Sequence, residues 1–209
     1  MAPIQSAFGR HWPQARCMNL LDDCLSVDRA EAGSLTPDMV QRFIDLAAYA
    51  QRAGCSGILF TCSAFGTAIE AAGRAVGLPT LKPNEAMFEE ALALSPAQGA
   101  KLGLIATFEA SIPSMSAELQ DMARACGRQI ELHTEFVPEA MSDLAQGHAA
   151  QHHQKIALAA RKLAACDVLM LAQFSMDAAQ PAVQAELACP VLSSPDCAVL
   201  ALQKRMSHV

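Results

Sequence analysis

Cys62 and Gln173 occupy the same position in a segment that the chain contains twice. Cys55-Ser-Gly-Ile-Leu-Phe-Thr-Cys62-Ser-Ala-Phe recurs as Cys166-Asp-Val-Leu-Met-Leu-Ala-Gln173-Phe-Ser-Met, at an offset of 111 residues. The same offset carries Pro79 onto Pro190, Leu81 onto Leu192 and Glu85 onto Asp196. In each copy a short apolar run ends in polar residues, Thr61-Cys62-Ser63 or Gln173-Phe174-Ser175, and a helical pattern follows. In parallel α/β sheets, ligands bind beyond the carboxyl ends of strands. Backbone N–H groups at the start of the following helix favour an anion, with a carboxylate as the natural guest. The same field lowers a thiol's pKa from its usual ~8.5. Cys62 is therefore placed as a reactive thiolate. Gln173 can only exchange hydrogen bonds, because an amide does not transfer protons near neutral pH. Two copies of one unit also imply two similar lobes, able to present equivalent groups to one small molecule.

The elements that must position these residues alternate along the chain. In the second half, Lys101–Thr107 reads as a buried strand, Ser111–Ala125 as a helix, and Gln129–Val137 as a strand. An Ala-rich helix follows at His148–Ala165, then a strand at Asp167–Ala172 and a helix at Met176–Leu187. A short strand at Pro190–Leu192 leads into a closing helix from Asp196 to about Arg205. The first half repeats this order, with helices at Pro3–Arg10, Thr36–Arg52, Phe65–Val76 and Asn84–Leu94. Its strands are Arg16–Leu21, Gly57–Thr61 and Pro79–Leu81. Thr36 followed by Pro37 is a helix start: a hydroxyl acceptor, then a residue whose missing N–H costs nothing there. Short apolar strands alternating with helices predict parallel sheets flanked by helices, in two pseudo-symmetric α/β lobes over residues 1–97 and 98–209. No counterpart of the strand Lys101–Thr107 precedes Pro3. The first strand of lobe one is therefore expected to be absent, in the sense of a missing segment.

Composition narrows the function. The chain has 209 residues, 52% of them hydrophobic, enough for a core in each lobe. Charged residues make up 17% and the net charge is −6, which argues against nucleic acid or an anionic membrane as partner. No apolar run reaches the roughly 18 residues needed to cross a bilayer, and the first residues lack a signal peptide's pattern, so a cytoplasmic location is expected. The eight cysteines are dispersed with no C-x-x-C pair, and all except Cys62 read as buried free thiols. His148, His152 and His153 on one helix lack further ligands for a metal and read as an exposed polar face. The absence of a glycine-rich phosphate loop argues against nucleotide cofactors.

The motifs Gly57-Ile-Leu-Phe-Thr-Cys62-Ser-Ala-Phe-Gly66, Lys82-Pro-Asn-Glu-Ala86, Gly103-Leu-Ile-Ala-Thr107 and Leu171-Ala-Gln-Phe-Ser-Met176 occur in an order that resembles the aspartate/glutamate/hydantoin racemase superfamily. The resemblance covers essentially the whole chain. It implies a cofactor-independent enzyme of two similar lobes, a homodimer, and a small carboxylate as substrate. In that superfamily one cysteine from each lobe usually flanks the substrate carbon. One thiolate removes a proton and the opposing thiol returns one. Arylmalonate decarboxylases, maleate isomerases and some lyases share the scaffold. Carried over, Cys62 matches the first-lobe cysteine, and Gln173 stands where the second would be. Thr61, Ser63, Thr107 and Ser175 match positions near the substrate carboxylate.

Asn84 and Phe174 join them as substrate-binding candidates, although Asn84 equally reads as a helix N-cap. Ser193, Ser194 and Asp196 occupy the equivalent place in the second copy. Asp22, Asp23 and Glu85 are the candidates for a second base, each more readily explained as a solvated or capping carboxylate. Phe65, Phe108 and Phe174 beside the motifs suggest a partly apolar pocket. The sequence thus predicts a racemase or isomerase-type enzyme acting next to a carboxylate, with Cys62 as acid/base or nucleophile. A one-cysteine decarboxylase or lyase, and a carboxylate-binding protein without catalysis, are the alternatives.

Overall fold

The computed structural model describes residues 2–62 and 65–207. They form an α/β fold with parallel strands in two sheets, and the chain divides into two compact units. Residues 1–7 and 84–197 make a four-stranded unit; residues 8–83 and 198–209 make a two-stranded unit.

In the four-stranded unit the sheet consists of β3 (Gln98–Ala106), β4 (Gln129–Phe136), β5 (Val168–Leu171) and β6 (Val191–Ser193). Their order is β4-β3-β5-β6, all parallel, with Leu102 level with Val168 and Leu169 level with Val191. β3 and β5 are near-continuous apolar runs because both of their faces are covered. Ile105, Leu169 and Leu171 join Ile156, Met176 and Val183 in one core cluster. These partners come from α8 (Ala149–Ala160), a 3-10 stretch (Phe174–Ala179) and α9 (Gln180–Gln184). Leu102, Leu104, Val168 and Met170 point to the other face by the two-residue period of a strand. Gly103 is where the sheet has no room: a Cβ there would meet Leu169 Cδ1 at 2.7 Å and Cys166 Sγ at 3.3 Å. α5 (Glu85–Leu94) packs against β5, and α6 (Ile112–Ala125) against β4. Arg128 fastens the carboxyl end of α5, donating to the carbonyls of Leu92, Ser95 (2.8 Å) and Pro96 (2.5 Å).

The two-stranded unit has β1 (Ile58–Leu59) paired in parallel with β2 (Thr80–Leu81). α3 (Pro37–Arg52) and α4 (Gly66–Val76) pack together around Phe43, Phe65 and Ile69, with Ile58 and Phe60 against the same cluster. Thr36 caps α3 through its hydroxyl, which accepts from Met39 N–H at 3.3 Å. The closing helix α10 (Ser194–Met206) brings Leu202 and Met206 to Gly57.

Four expectations about elements need correction. Arg16–Leu21 forms no strand: it pairs with nothing in either sheet and leaves Met18 and Leu21 each 67% exposed. Its counterpart β4 is held by β3 alone, and no strand of the two-stranded unit does that for Arg16–Leu21. The helix read at Met176–Leu187 is instead the 3-10 stretch followed by α9, with Pro181 in the first turn of α9. Two helices, α2 (Cys24–Ala32) and α7 (Ala140–Ala145), were not expected. Their hydrophobic stripes are too short to be periodic, with one buried residue each, Leu25 and Ala140. Finally, β3 starts at Gln98, three residues before the strand read at Lys101–Thr107. No described helix is long and apolar enough to cross a membrane.

Candidate active site

The carboxyl ends of β3, β5 and β6 bring Thr107, Gln173 and Ser193 to one edge of the four-stranded sheet. Thr107 is buried, at 5% exposure, and grips Gln173 twice. Gln173 Oε1 accepts from Thr107 N–H at 2.8 Å and from Thr107 Oγ at 3.1 Å. Gln173 Nε2 donates to Ser111 Oγ at 2.9 Å, and Ser111 Oγ donates onward to Phe108 O at 2.7 Å. A backbone N–H can only donate, so the bond from Thr107 fixes which end of the amide faces β3. Both lone pairs of Oε1 are then engaged, and one Nε2 hydrogen is left for a ligand. Gln173 thereby ties strand β5 to the end of strand β3.

Phe174 and Ser175, both half-buried, follow in the 3-10 stretch, which closes on itself through Met176 N–H to Gln173 O at 2.9 Å. Behind it, buried Asp177 accepts from Ser193 Oγ at 2.7 Å. Asn84 does not cap α5 with its side chain. Its Oδ1 instead accepts from Ser194 Oγ at 3.0 Å, with Met87 Sδ 3.4 Å from the same oxygen. Both residues are buried, at 3% and 0% exposure, so this bond is shielded from water.

In the two-stranded unit, β1 runs into Thr61 and Cys62, both exposed, after a last pairing bond from Phe60 N–H to Leu81 O at 3.1 Å. Ser63 lies outside the described residues. Phe65 is not a pocket wall: at 1% exposure it stacks on Phe43 with ring centroids 4.9 Å apart. Phe108, by contrast, is 52% exposed. Asp22 is engaged by Arg42, which donates to both its carboxylate oxygens at 2.6 Å and to Asp28 at 2.5 Å. The bond from Arg42 holds the Asp22 carboxyl below its usual range, and both aspartates raise the guanidinium. That makes Asp22 a poor proton acceptor near neutral pH. Asp23 is exposed at the start of α2 and Glu85 half-buried at the start of α5.

The expectation of buried thiols fails for Cys17, Cys24 and Cys126, which are exposed like Cys62. It holds for Cys166 and Cys197, and burial pushes the Cys197 thiol up to about 12. The histidine-bearing helix is not wholly solvent-facing either. His152 is 0% exposed, neither ring nitrogen has a partner, and burial lowers its pKa. Among the described residues, no group of three or more His, Cys, Asp or Glu is arranged to hold a metal ion.

Sequence reasoning missed Ser111 as a partner of Gln173. It stands at a helix start, where a serine reads as a cap, and the residue it serves is 62 positions away. Ser194 was legible only as a possible cap, since nothing local announces a bond across 110 residues.

Two parallel α/β sheets with polar residues gathered at strand ends define the class of fold. The family model of Asp/Glu/hydantoin racemases matches residues 4–132, more than half of the chain, and the chain belongs to that family. Among solved structures, a glutamate racemase isoform from Bacillus anthracis is similar over 99% of this chain and 77% of its own, at 16% identity and a TM-score of 0.70. An aspartate racemase homologue from Pyrococcus horikoshii matches 99% of this chain and 93% of its own, at 14% identity and a TM-score of 0.67. An arylmalonate decarboxylase matches 82% of this chain and 78% of its own, at 16% identity and a TM-score of 0.62. At these identities the likeness is one of fold. No curated protein matches the chain.

Proposed function

We propose that the protein catalyses proton transfer at a carbon adjacent to the carboxylate of a small acid, with Cys62 as its only thiol acid/base. The observation that carries this reading is the inequality of the two strand ends. The end of β1 offers an exposed thiol, and the end of β5 offers an amide whose oxygen is already doubly bonded. The Cys62 thiolate takes the α-proton, forming S–H, and the electron pair of the broken C–H bond delocalises into the carboxylate. The same S–H then returns a proton to that carbon. If the substrate carries a second carboxylate on that carbon, the C–C bond breaks instead. Carbon dioxide leaves, and the electron pair left behind takes the proton from Cys62. Gln173 contributes its remaining amide hydrogen to a substrate oxygen, while Thr107 and Ser111 hold it. Thr61, Ser63, Asn84, Phe174 and Ser175 complete the proposed binding set. The two-lobe division of the sequence, a homodimer and a cytoplasmic location belong to the same proposal, drawn from family membership. No organic cofactor or metal takes part in these steps.

The test is hydrogen–deuterium exchange in deuterated water, followed by NMR, over a panel of amino acids, hydantoins, arylmalonates and maleate. Exchange with retained configuration, lost in Cys62→Ala, supports one-sided transfer. Inversion catalysed by the wild type shows that a second acid acts and sinks the one-thiol reading. If no panel member reacts but a carboxylate perturbs the Thr107 and Gln173 amide resonances, the non-catalytic binding reading replaces it.

A further inference from the structure

β4 is the long edge of the four-stranded sheet: β3 holds one side of it, and among the described residues no strand takes the other. Every residue of β4 is exposed or half-buried, whereas β5 is buried throughout. The phase of the open side is fixed by one bond. Val137, the residue after β4, donates its N–H to Ala106 O at 2.8 Å. By the alternation of a strand, the odd-numbered residues of β4 turn their N–H and C=O groups to β3. Ile130, Leu132, Thr134 and Phe136 therefore direct theirs to the open side. The side chains alternate as well, so Glu131, His133 and Glu135 share one face. His133 Nε2 lies 3.1 Å from Glu131 Oε1 on that face. The opposite edge strand, β6, is only Val191–Ser193 and offers a much shorter ladder.

We propose that this edge is the contact between two copies of the chain, with β4 pairing antiparallel to its own copy about a two-fold axis at Leu132. Backbone phase and charge select this arrangement. A ladder must set open-side residues opposite one another, so the axis passes through a residue and not between two. An axis at Leu132 joins residues 129–135. Leu132 meets the partner's Leu132, Ile130 meets the partner's Thr134, and Glu131 meets the partner's His133, twice over. The Glu131 and His133 pairs are the non-hydrogen-bonded ones, whose side chains stand closest. Moving the axis to His133 sets Glu131 against the partner's Glu135, and moving it to Glu131 sets that carboxylate against its own copy. Moving it to Thr134 shortens the ladder to residues 132–136. Charged side chains on an edge ordinarily keep sheets apart. Here they oppose the other long registers and match in one. The inference rests on the homodimer reading given above and is independent of the catalytic one.

Sedimentation equilibrium of the full chain over a range of protein concentrations tests the interface with three variants. Thr134→Pro removes an open-side donor but no bond to β3, a place where an edge strand tolerates proline. His133→Glu puts a carboxylate opposite Glu131 in both cross-strand pairs. The double variant Glu131→His with His133→Glu exchanges the two groups and restores the match. Wild type should dimerise, and each of the first two variants should dimerise at least about tenfold more weakly. The double variant should recover most of that loss. Circular dichroism verifies the fold of each variant, and the charge exchange carries the test should Thr134→Pro not fold. A wild type that stays monomeric overturns the homodimer reading and this interface together. A dimer that neither of the first two variants weakens leaves the homodimer standing and overturns its assignment to β4. A double variant no tighter than His133→Glu overturns the register about Leu132.

Discussion

β5 and β1 are the same strand twice, in sequence and in their bonds to the next strand, yet they live in different surroundings. β5 is fully buried, paired on both edges, and ends in an amide locked by three hydrogen bonds. β1 is half-buried, paired on one edge, and ends in an exposed thiol. The lesson is that a repeat conserves the pairing pattern more readily than the environment. Rigidity has gone to the copy that ends in an amide, and exposure to the copy that ends in a thiol.

The sharpest way to break this comparison is Cys62→Ala. Exchange activity should fall by about 10²–10⁴-fold, while the melting temperature stays put because the side chain is exposed. Retained activity would remove the functional half of the contrast. Second in size is the glycine pair. Gly103→Ala forces a methyl into packed Leu169 and Cys166 and should cost about 1–3 kcal/mol in urea unfolding. Gly57→Ala meets Met206 Sδ at 2.9 Å, the flexible arm of a half-buried methionine, and should cost clearly less. Equal costs would mean that the two strands are equally confined. Gln173→Leu should follow at about 1–3 kcal/mol, because it strands the Thr107 N–H. A neutral result would show that the amide is free to serve substrate alone.

A fourth prediction concerns His152, whose folded pKa is depressed by burial. Above the unfolded value of about 6.5 both states are neutral and nothing is lost. As pH falls below it the unfolded chain takes the proton first, so stability declines until the folded pKa is reached. His152→Leu should flatten that acid limb in pH-dependent denaturation; an unchanged limb assigns it to other groups. The smallest effect is expected from Asp22→Asn, at no more than about 1 kcal/mol, since the pair with Arg42 lies at the surface. Because that carboxyl's pKa is lowered in the folded state, its contribution is present at neutral pH and vanishes as pH drops through the carboxylate range.

The repeat, the parallel strands and the start of α3 at Thr36-Pro37 were legible because each rests on local chemistry. Apolar runs, caps and proline write themselves into neighbouring residues. Arg16–Leu21 misled for the opposite reason. A strand exists only through its partner, and an apolar hexapeptide carries no record of whether a partner comes. His152 misled similarly: three histidines on one helix look polar, but that helix packs against α7 and α9 and its His152 is buried. Cys62 and Gln173 could be singled out by their shared position, but not the bonds that immobilise Gln173. Those come from Thr107 and Ser111, on another strand and the turn after it.

The two-stranded unit takes residues 8–83 and then waits for 198–209, while residues 84–197 belong to its neighbour. On a ribosome this reverses the usual order in which domains mature from the amino terminus. Phe43, Phe65 and Ile69 emerge early, but Leu202 and Met206, the residues that close over Gly57, arrive last. The four-stranded unit, most of which is made later, is nevertheless complete by residue 197. The half of the molecule that bears the thiol is therefore the last to be finished, and a nascent chain stalled short of residue 198 carries a complete amide end and an incomplete cysteine end.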